Sequence, residues 1–284
     1  MPGPYLMRTS FNAWEMDENA HLNVRGYFDR FDVASRVMRA SDPELVGHTT
    51  SVLGRHVRYH AEQRSCAQSI EITSDLAAAP SGDAVIAHRM LLADTGQLSA
   101  TGIDLLSTPA QDVDKREPLA QDTKPRGLSE GLATPPEDSA RDLLDRGLQS
   151  YHSTLVSSAD CDQDGFALDR VYIGVISDAA PHFWSAVSIT SPWLAEHGCG
   201  RIAVEARVTY GAKARSGQVI TAIGQVAHKT TKTITFRYDF YEVGTGVFLA
   251  TGEVVGMIMD LTKRKVVTFP DSLHTTAERY MLKV

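Results

Sequence analysis

Apolar residues recur along this chain on two periods, and the pair of periods occurs twice. Tyr27, Phe31, Ala34 and Met38 stand three or four residues apart, which places them on one face of a helix. Tyr172, Ile176, Ala179 and Phe183 repeat the pattern 145 residues later (172 minus 27). After each helix the period falls to two and β-branched residues become frequent, which predicts antiparallel strands over 51–59, 69–76, 84–92 and 98–107. The second copy predicts strands over 202–210, 219–229, 233–241 and 247–260, and a shorter strand precedes each helix, at 5–13 and 150–159. Pro181 falls inside the second helix. It lacks the N–H that would bond the carbonyl four residues back, so it predicts a kink or an end there.

The residues repeat as well as the rhythm. Val57-Arg58-Tyr59-His60-Ala61-Glu62-Gln63-Arg64-Ser65 returns as Val208-Thr209-Tyr210-Gly211-Ala212-Lys213-Ala214-Arg215-Ser216, an offset of 151 (208 minus 57). Thr95-Gly96 and Ala100-Thr101-Gly102 return as Thr245-Gly246 and Ala250-Thr251-Gly252, an offset of 150 (245 minus 95). In that register the loop 17–22 aligns with 162–167. Asp94-Thr95-Gly96 and Gly244-Thr245-Gly246 read as hairpin turns, with glycine supplying the positive φ. Between the copies, residues 109–137 are rich in Pro, Asp, Gln and Lys and have no period, so they read as linker, closed by a short helix over 139–149 behind Pro136-Glu137-Asp138. The expected organisation is an N-terminal unit at 1–108, a linker with its short helix at 109–149, and a C-terminal unit at 150–284. One helix against an antiparallel sheet, twice, is an α+β repeat.

Composition narrows the function. The 284 residues are 43% hydrophobic and 22% charged, as in a globular protein, and no stretch approaches the roughly 20 apolar residues of a membrane helix. A formal net charge of -7 supplies no basic stripe to neutralise phosphates, which argues against nucleic-acid binding. The opening Met1-Pro2-Gly3-Pro4-Tyr5 has no basic or apolar leader region, so the cytoplasm is the expected location. Cys66, Cys161 and Cys199 are odd in number and form no CxxC, which reads as reduced thiols, and the histidines show no metal-ligand spacing.

The first loop sharpens the reading. Trp14-Glu15-Met16-Asp17-Glu18-Asn19-Ala20-His21-Leu22-Asn23, with Tyr27 after it, resembles the W…D-x-N-G-H-M-N…Y signature of acyl-CoA thioesterases related to the hydroxybenzoyl-CoA thioesterase group. Ala20 and Leu22 depart from the usual Gly and Met. The resemblance implies a tandem (double) hotdog, in which a central helix is wrapped by an antiparallel sheet in each of two copies. It also implies a small-molecule acyl thioester as substrate, with CoA entering only as part of it and no other cofactor. Two copies on one chain equal a hotdog dimer, and further homo-oligomerisation is left open.

By the same resemblance Asp17 acts as general base or nucleophile, with Asn19, His21 and Asn23 positioning water or substrate. Amides near Asn23 and Val24, at a positive helix end, polarise the carbonyl, while Tyr27 is a candidate for the substrate pocket and equally a candidate for the core. The plainer reading of Asp17, Asn19 and Asn23 is helix capping. The second loop keeps Asp162 opposite Asp17 but has Phe166 for His21 and Leu168 for Asn23, so the first unit is expected to carry the chemistry, with Asp162 a candidate second carboxylate. Arg64 and Arg215 are candidates for a CoA phosphate or plain turn residues. Two further motifs carry little. Residues 160–165 begin like a calcium loop but have Val171 where the bidentate Glu belongs, and Gly127-Leu128-Ser129-Glu130-Gly131 matches a nucleophile elbow inside the linker, where it fits a lid better. The alternatives to hydrolysis are a hotdog hydratase or dehydratase, and a non-catalytic acyl-CoA or hydrophobic-ligand module.

Overall fold

The computed structural model describes residues 5–46, 51–64, 68–107 and 116–283. They fall into two compact units, Met1–Ala133 and Thr134–Val284. In the first unit, β1 (Tyr5–Ser10) leads through a short 3-10 turn (Ala13–Glu15) to the long helix α1 (Val24–Ser41), and then come β2 (Val52–Tyr59), β3 (Ser69–Ala78), β4 (Ala84–Leu92) and β5 (Leu98–Leu106). These strands pair antiparallel in the order β1-β3-β4-β5-β2.

The second unit opens with α2 (Ala140–Asp145) and β6 (Gln149–Leu155), followed by the long α3 (Asp169–Ala186) and a short α4 (Ser191–Glu196). Four long strands follow: β7 (Cys199–Tyr210), β8 (Val219–Lys229), β9 (Ile234–Glu242) and β10 (Phe248–Asp260). A two-residue β11 (Lys265–Val266) and α5 (Asp271–Ala277) complete it. Its order β6-β8-β9-β10-β7 is the first unit's order strand for strand, so the repeat legible in the sequence is a repeat of topology.

The two periods do what they predicted. Tyr27, Phe31, Ala34 and Met38 are the buried stripe of α1, and Tyr172, Ile176, Ala179 and Phe183 that of α3. Each helix approaches its sheet over a mid-strand glycine: a Cβ on Gly102 would meet Phe31 Cδ2 at 3.1 Å, and one on Gly252 would collide with Ile176 Cδ1. The hairpin glycines Gly96 and Gly246 have φ of 68° and 72°, as their turns require.

Of the two outcomes expected at Pro181, an end of the helix is not observed: α3 continues through it. The helix runs five residues past it because Phe183 and Trp184 are buried beyond the proline and hold the last turn, while Ser185 Oγ donates to the Pro181 carbonyl at 2.8 Å. The strands read at 5–13 and 150–159 stop at Ser10 and Leu155, each followed by a 3-10 turn. Of the segment read as linker, residues 109–115 lie outside the described residues, as does Cys66. Residues 116–133 lie within the first unit. Leu119 packs with Ala77, Val85 and Ile103, and Arg58 donates to the carbonyls of Asp122 (3.2 Å) and Lys124 (3.1 Å). Strand alternation puts Ile103 on the opposite face from Gly102, so this strap covers the sheet face turned away from α1.

The cores differ in chemistry. Beneath α3 the second unit stacks Phe183 on Tyr151 (4.4 Å between centroids) and against Phe236 (4.5 Å). Beneath α1 the first unit buries Arg55 completely, its Nε and Nη2 forked onto Asp104 at 2.6 and 2.8 Å, with Asp32 at 3.6 Å and His88 Nε2 3.3 Å from Asp104. Burial alone would push the Asp104 carboxyl up, but the Arg55 guanidinium and His88 overcome it and hold that carboxyl far below the usual range.

Candidate active site

The loop between β1 and α1 is shaped by its own aspartate. Asp17 Oδ1 accepts from the amides of Asn19 (2.8 Å) and His21 (3.0 Å), and the Asp17 amide donates to the His21 carbonyl at 2.7 Å. The second loop repeats this bond for bond: Asp162 Oδ1 accepts from Asp164 (3.0 Å) and Phe166 (2.9 Å), and the Asp162 amide donates to the Phe166 carbonyl at 2.8 Å. One carboxylate oxygen in each loop is therefore committed to backbone, and Oδ2 stays outside this set of bonds. The turn also needs a left-handed residue. Gly165 supplies it at φ 78°, whereas Ala20 is forced to φ 56°, where its Cβ costs about 1 kcal/mol.

Asn23 is the N-cap of α1, its Oδ1 accepting from the Arg25 amide at 2.9 Å. The other amides at this helix end are largely committed: Leu22 donates to the Gln63 carbonyl (2.7 Å), Asn23 to Glu15 (2.9 Å) and Gly26 to Asn23 (2.9 Å). This corrects the expectation for Asn23, whose N–H faces Glu15 and not a ligand. Val24, the first helical residue, has no carbonyl four residues back to bond within α1, and its amide alone among 22–26 takes no part in these bonds.

His21 is buried, with Nε2 3.3 Å from Glu62 Oε2, and Glu62 in turn receives Arg64 at 3.1 and 2.9 Å. Glu62 was not singled out by the sequence reading. The signal was present, because the repeat sets Glu62 opposite Lys213 just where it sets His21 opposite Phe166. The second unit realises the same contact with other chemistry: Arg215 Cζ lies 4.0 Å and Lys213 Nζ 5.2 Å from the Phe166 ring centroid, a cation–π pair.

Tyr27 is buried at the foot of α1, 5.0 Å from the Tyr59 ring, and burial raises its phenol to about 12. Its counterpart Tyr172 accepts from the Ala214 amide at 3.2 Å and is raised by burial in the same way. Tyr172 fastens helix to loop through that bond, and Tyr27 is buried in the core of its own unit. Asp17, Asn19, His21 and Asn23 are thus brought together with Glu62 and Arg64, while Asp162 and Arg215 occupy the matching place in the second unit. Arg64 and Arg215 are both exposed.

The two further motifs resolve structurally. Asp160 receives Arg170 Nε at 2.8 Å and Asp162 caps its own turn, and among the described residues no group of three or more His, Cys, Asp or Glu is arranged to hold a metal. Residues 127–131 have no strand before them and no helix after them, so they form no nucleophile elbow. Pro125, Glu130 and Gly131 instead close a cavity against Val85, Ile103 and Leu105, on the face away from the Asp17 loop. Cys161 and Cys199 are free thiols, and no described helix is long and apolar enough to cross a membrane.

Comparison with known proteins agrees with this architecture. Residues 156–276 match the model of the thioesterase-like superfamily. No curated protein matches the chain. Among solved structures, it is similar to an acyl-ACP thioesterase from Bacteroides thetaiotaomicron (TM-score 0.59, 10% identity, 89% of this chain and 97% of that one). It is similar also to the 12:0-ACP thioesterase of Umbellularia californica (TM-score 0.59, 10% identity, 88% and 96%). A Lactobacillus plantarum protein described as an oleoyl thioesterase gives a TM-score of 0.61 at 14% identity, over 89% of this chain and 96% of its own. At these identities the likeness establishes the fold, an α+β hotdog.

Proposed function

We propose, from the match of residues 156–276 to the thioesterase-like superfamily model, that the chain hydrolyses an acyl thioester to a free acid and a thiol, with the chemistry in the loop of the first hotdog unit. The observation that carries the assignment to this unit is the contrast between the two loops. Their backbones make the same bonds, yet His21 and Glu62 face each other at 3.3 Å where the second loop has Phe166 under two cations. An acyl-transfer site needs a base, a group to orient it or the water, and donors for the developing oxyanion.

In this reading Asp17 Oδ2 takes a proton from water as the water oxygen bonds the carbonyl carbon. The carbonyl electron pair moves onto oxygen, and collapse of that adduct breaks the C–S bond and releases the thiolate, which takes the proton up. His21, held by Glu62, orients the water, and Asn19 borders it. Asn23 and Tyr27 act by holding the helix end in place. No metal or redox step enters. Asp162 keeps the second loop's shape and is not required for turnover. The two relatives named as ACP thioesterases make a carrier-protein thioester the natural second substrate class beside acyl-CoA. The test is thiol release by the full chain from short, long, aromatic and polar acyl groups, each presented on CoA and on carrier-protein phosphopantetheine. Turnover of one acyl class supports the proposal and names the substrate, and no release from any member of the panel overturns it.

A further inference from the structure

The helix end that faces the carbonyl in the proposed reaction is short of donors. Oxyanion sites in acyl transfer are commonly built from two or more N–H groups, and the bonds above leave only the Val24 amide outside the loop's own network. Two residues before Val24, the Leu22 amide donates to the Gln63 carbonyl at 2.7 Å, which brings Gln63 to this end of the helix. The residue is 1% exposed, and neither Nε2 nor Oε1 of its buried side chain has a hydrogen-bond partner. A buried amide left in that state carries the full cost of its desolvation, and buried side-chain polar atoms in native proteins are otherwise paired.

The second unit shows that the backbone does not require this residue. Ala214 stands in the same place, accepting from Ala167 at 2.9 Å as Gln63 does from Leu22, with a methyl group where the amide is. A costly group is thus retained in the loop that also keeps His21 and Glu62, and is absent where they are absent.

We propose that Gln63 is a catalytic residue that donates its Nε2–H to the thioester carbonyl oxygen and forms, with the Val24 amide, the oxyanion-binding pair of the first unit. The inference rests on the thioesterase reading. As water adds and the π pair moves onto the carbonyl oxygen, the two donors hold that oxygen until the C–S bond breaks and the carbonyl re-forms. Gln63 exchanges no proton and is unchanged at the end.

The experiment compares wild type with Gln63→Met, which keeps the length of the side chain and removes both polar atoms. Three quantities are read: kcat and KM for thiol release, Tm, and affinity for two non-hydrolysable CoA derivatives of equal chain length. One derivative is a ketone that keeps the carbonyl, and the other is a plain thioether that lacks it. The expected result is a fall in kcat of about 10²- to 10³-fold with KM nearly unchanged, a Tm equal to or above wild type, and ketone binding weakened at least tenfold while thioether binding is unaffected. Unchanged kcat, a Tm that falls together with activity, or equal weakening of both analogues would overturn it. If wild type releases no thiol at all, the thioesterase reading is what has failed. The analogue pair then decides the Gln63 inference alone, and a ketone that Gln63→Met binds as tightly as wild type refutes it.

Discussion

The buried ion cluster of the first unit provides a quantitative test of how that unit is held together. Arg55 and Asp104 are both inaccessible to solvent and share two hydrogen bonds, at 2.6 and 2.8 Å. Removing one partner strands the other charge in the core, at a cost of about 3–5 kcal/mol. Arg55→Met leaves Asp104 with His88 at 3.3 Å and without its forked partner, and Asp104→Val leaves Arg55 with Asp32 at 3.6 Å. Replacing both partners removes the stranded charge and follows the second unit, which has Ala206 and Val254 at these places (55 plus 151 and 104 plus 150). The double variant is therefore expected within about 1 kcal/mol of wild type, since apolar replacement of a whole buried pair is often neutral or stabilising. That gives a coupling of several kcal/mol in the double-mutant cycle.

Because two units need not unfold together, the readout is hydrogen exchange in peptides covering β2 and β5, not a global melting curve. Single variants should lose two or more orders of magnitude in protection, with the double variant close to wild type. Single variants costing under about 1 kcal/mol, or a double cost equal to the sum of the singles, would refute the view that the pair acts as one buried unit.

Other expectations follow from the same contacts. Since Asp104 is held below its unfolded-state value, its contribution is complete well above about pH 4 and is lost progressively as pH falls below it; exchange protection in β5 should fall steadily below about pH 4 in wild type and much less in the double variant. Relieving the left-handed alanine by Ala20→Gly should stabilise the first loop by about 1 kcal/mol, and Gly165→Ala should weaken the second by a similar amount, both measurable as protection of loop amides. A Cβ at Gly224 would lie 2.6 Å from Tyr151 and 2.7 Å from Phe183, so Gly224→Ala should cost about 1–3 kcal/mol in urea unfolding of the second unit. Glu62→Gln removes the carboxylate that holds His21 and should lower kcat about tenfold or more with little change in stability; an unchanged kcat would remove Glu62 from the site.

Most of the architecture was legible because it depends on periodicity. The switch from the spacing of Tyr27, Phe31, Ala34 and Met38 to alternation located helix and strands, and the offset of 150 to 151 foretold that the two strand orders would agree. Local signals misled where packing at a distance decided the outcome, as with Pro181, whose lost hydrogen bond is outweighed by the burial of Phe183 and Trp184 beyond it. The strap at 116–133 has no period, because it is held by Arg58 reaching its carbonyls, which leaves no pattern in its own residues.

The site was half legible. Asp17, Asn19, His21 and Asn23 are contiguous and their loop could be read from sequence, whereas Glu62 and Gln63 come from a segment some forty residues away (62 minus 21) that only folding brings alongside. The direction of the Asn23 amide was beyond reach for a similar reason, since the Glu15 carbonyl that takes it is positioned by the intervening 3-10 turn.

The central claim is that two loops with one backbone design differ in chemistry, and that only the first is a catalyst. Because Asn at position 17 or 162 keeps the Oδ1 that accepts two amides, Asp17→Asn and Asp162→Asn preserve both loops while removing one charge each. The decisive measurement is kcat/KM for thiol release by these two variants beside wild type, on whichever acyl thioester the panel selects. The account predicts a loss of at least about 10²-fold for Asp17→Asn and near wild-type turnover for Asp162→Asn. Full activity in Asp17→Asn, or equal losses in both variants, would contradict it.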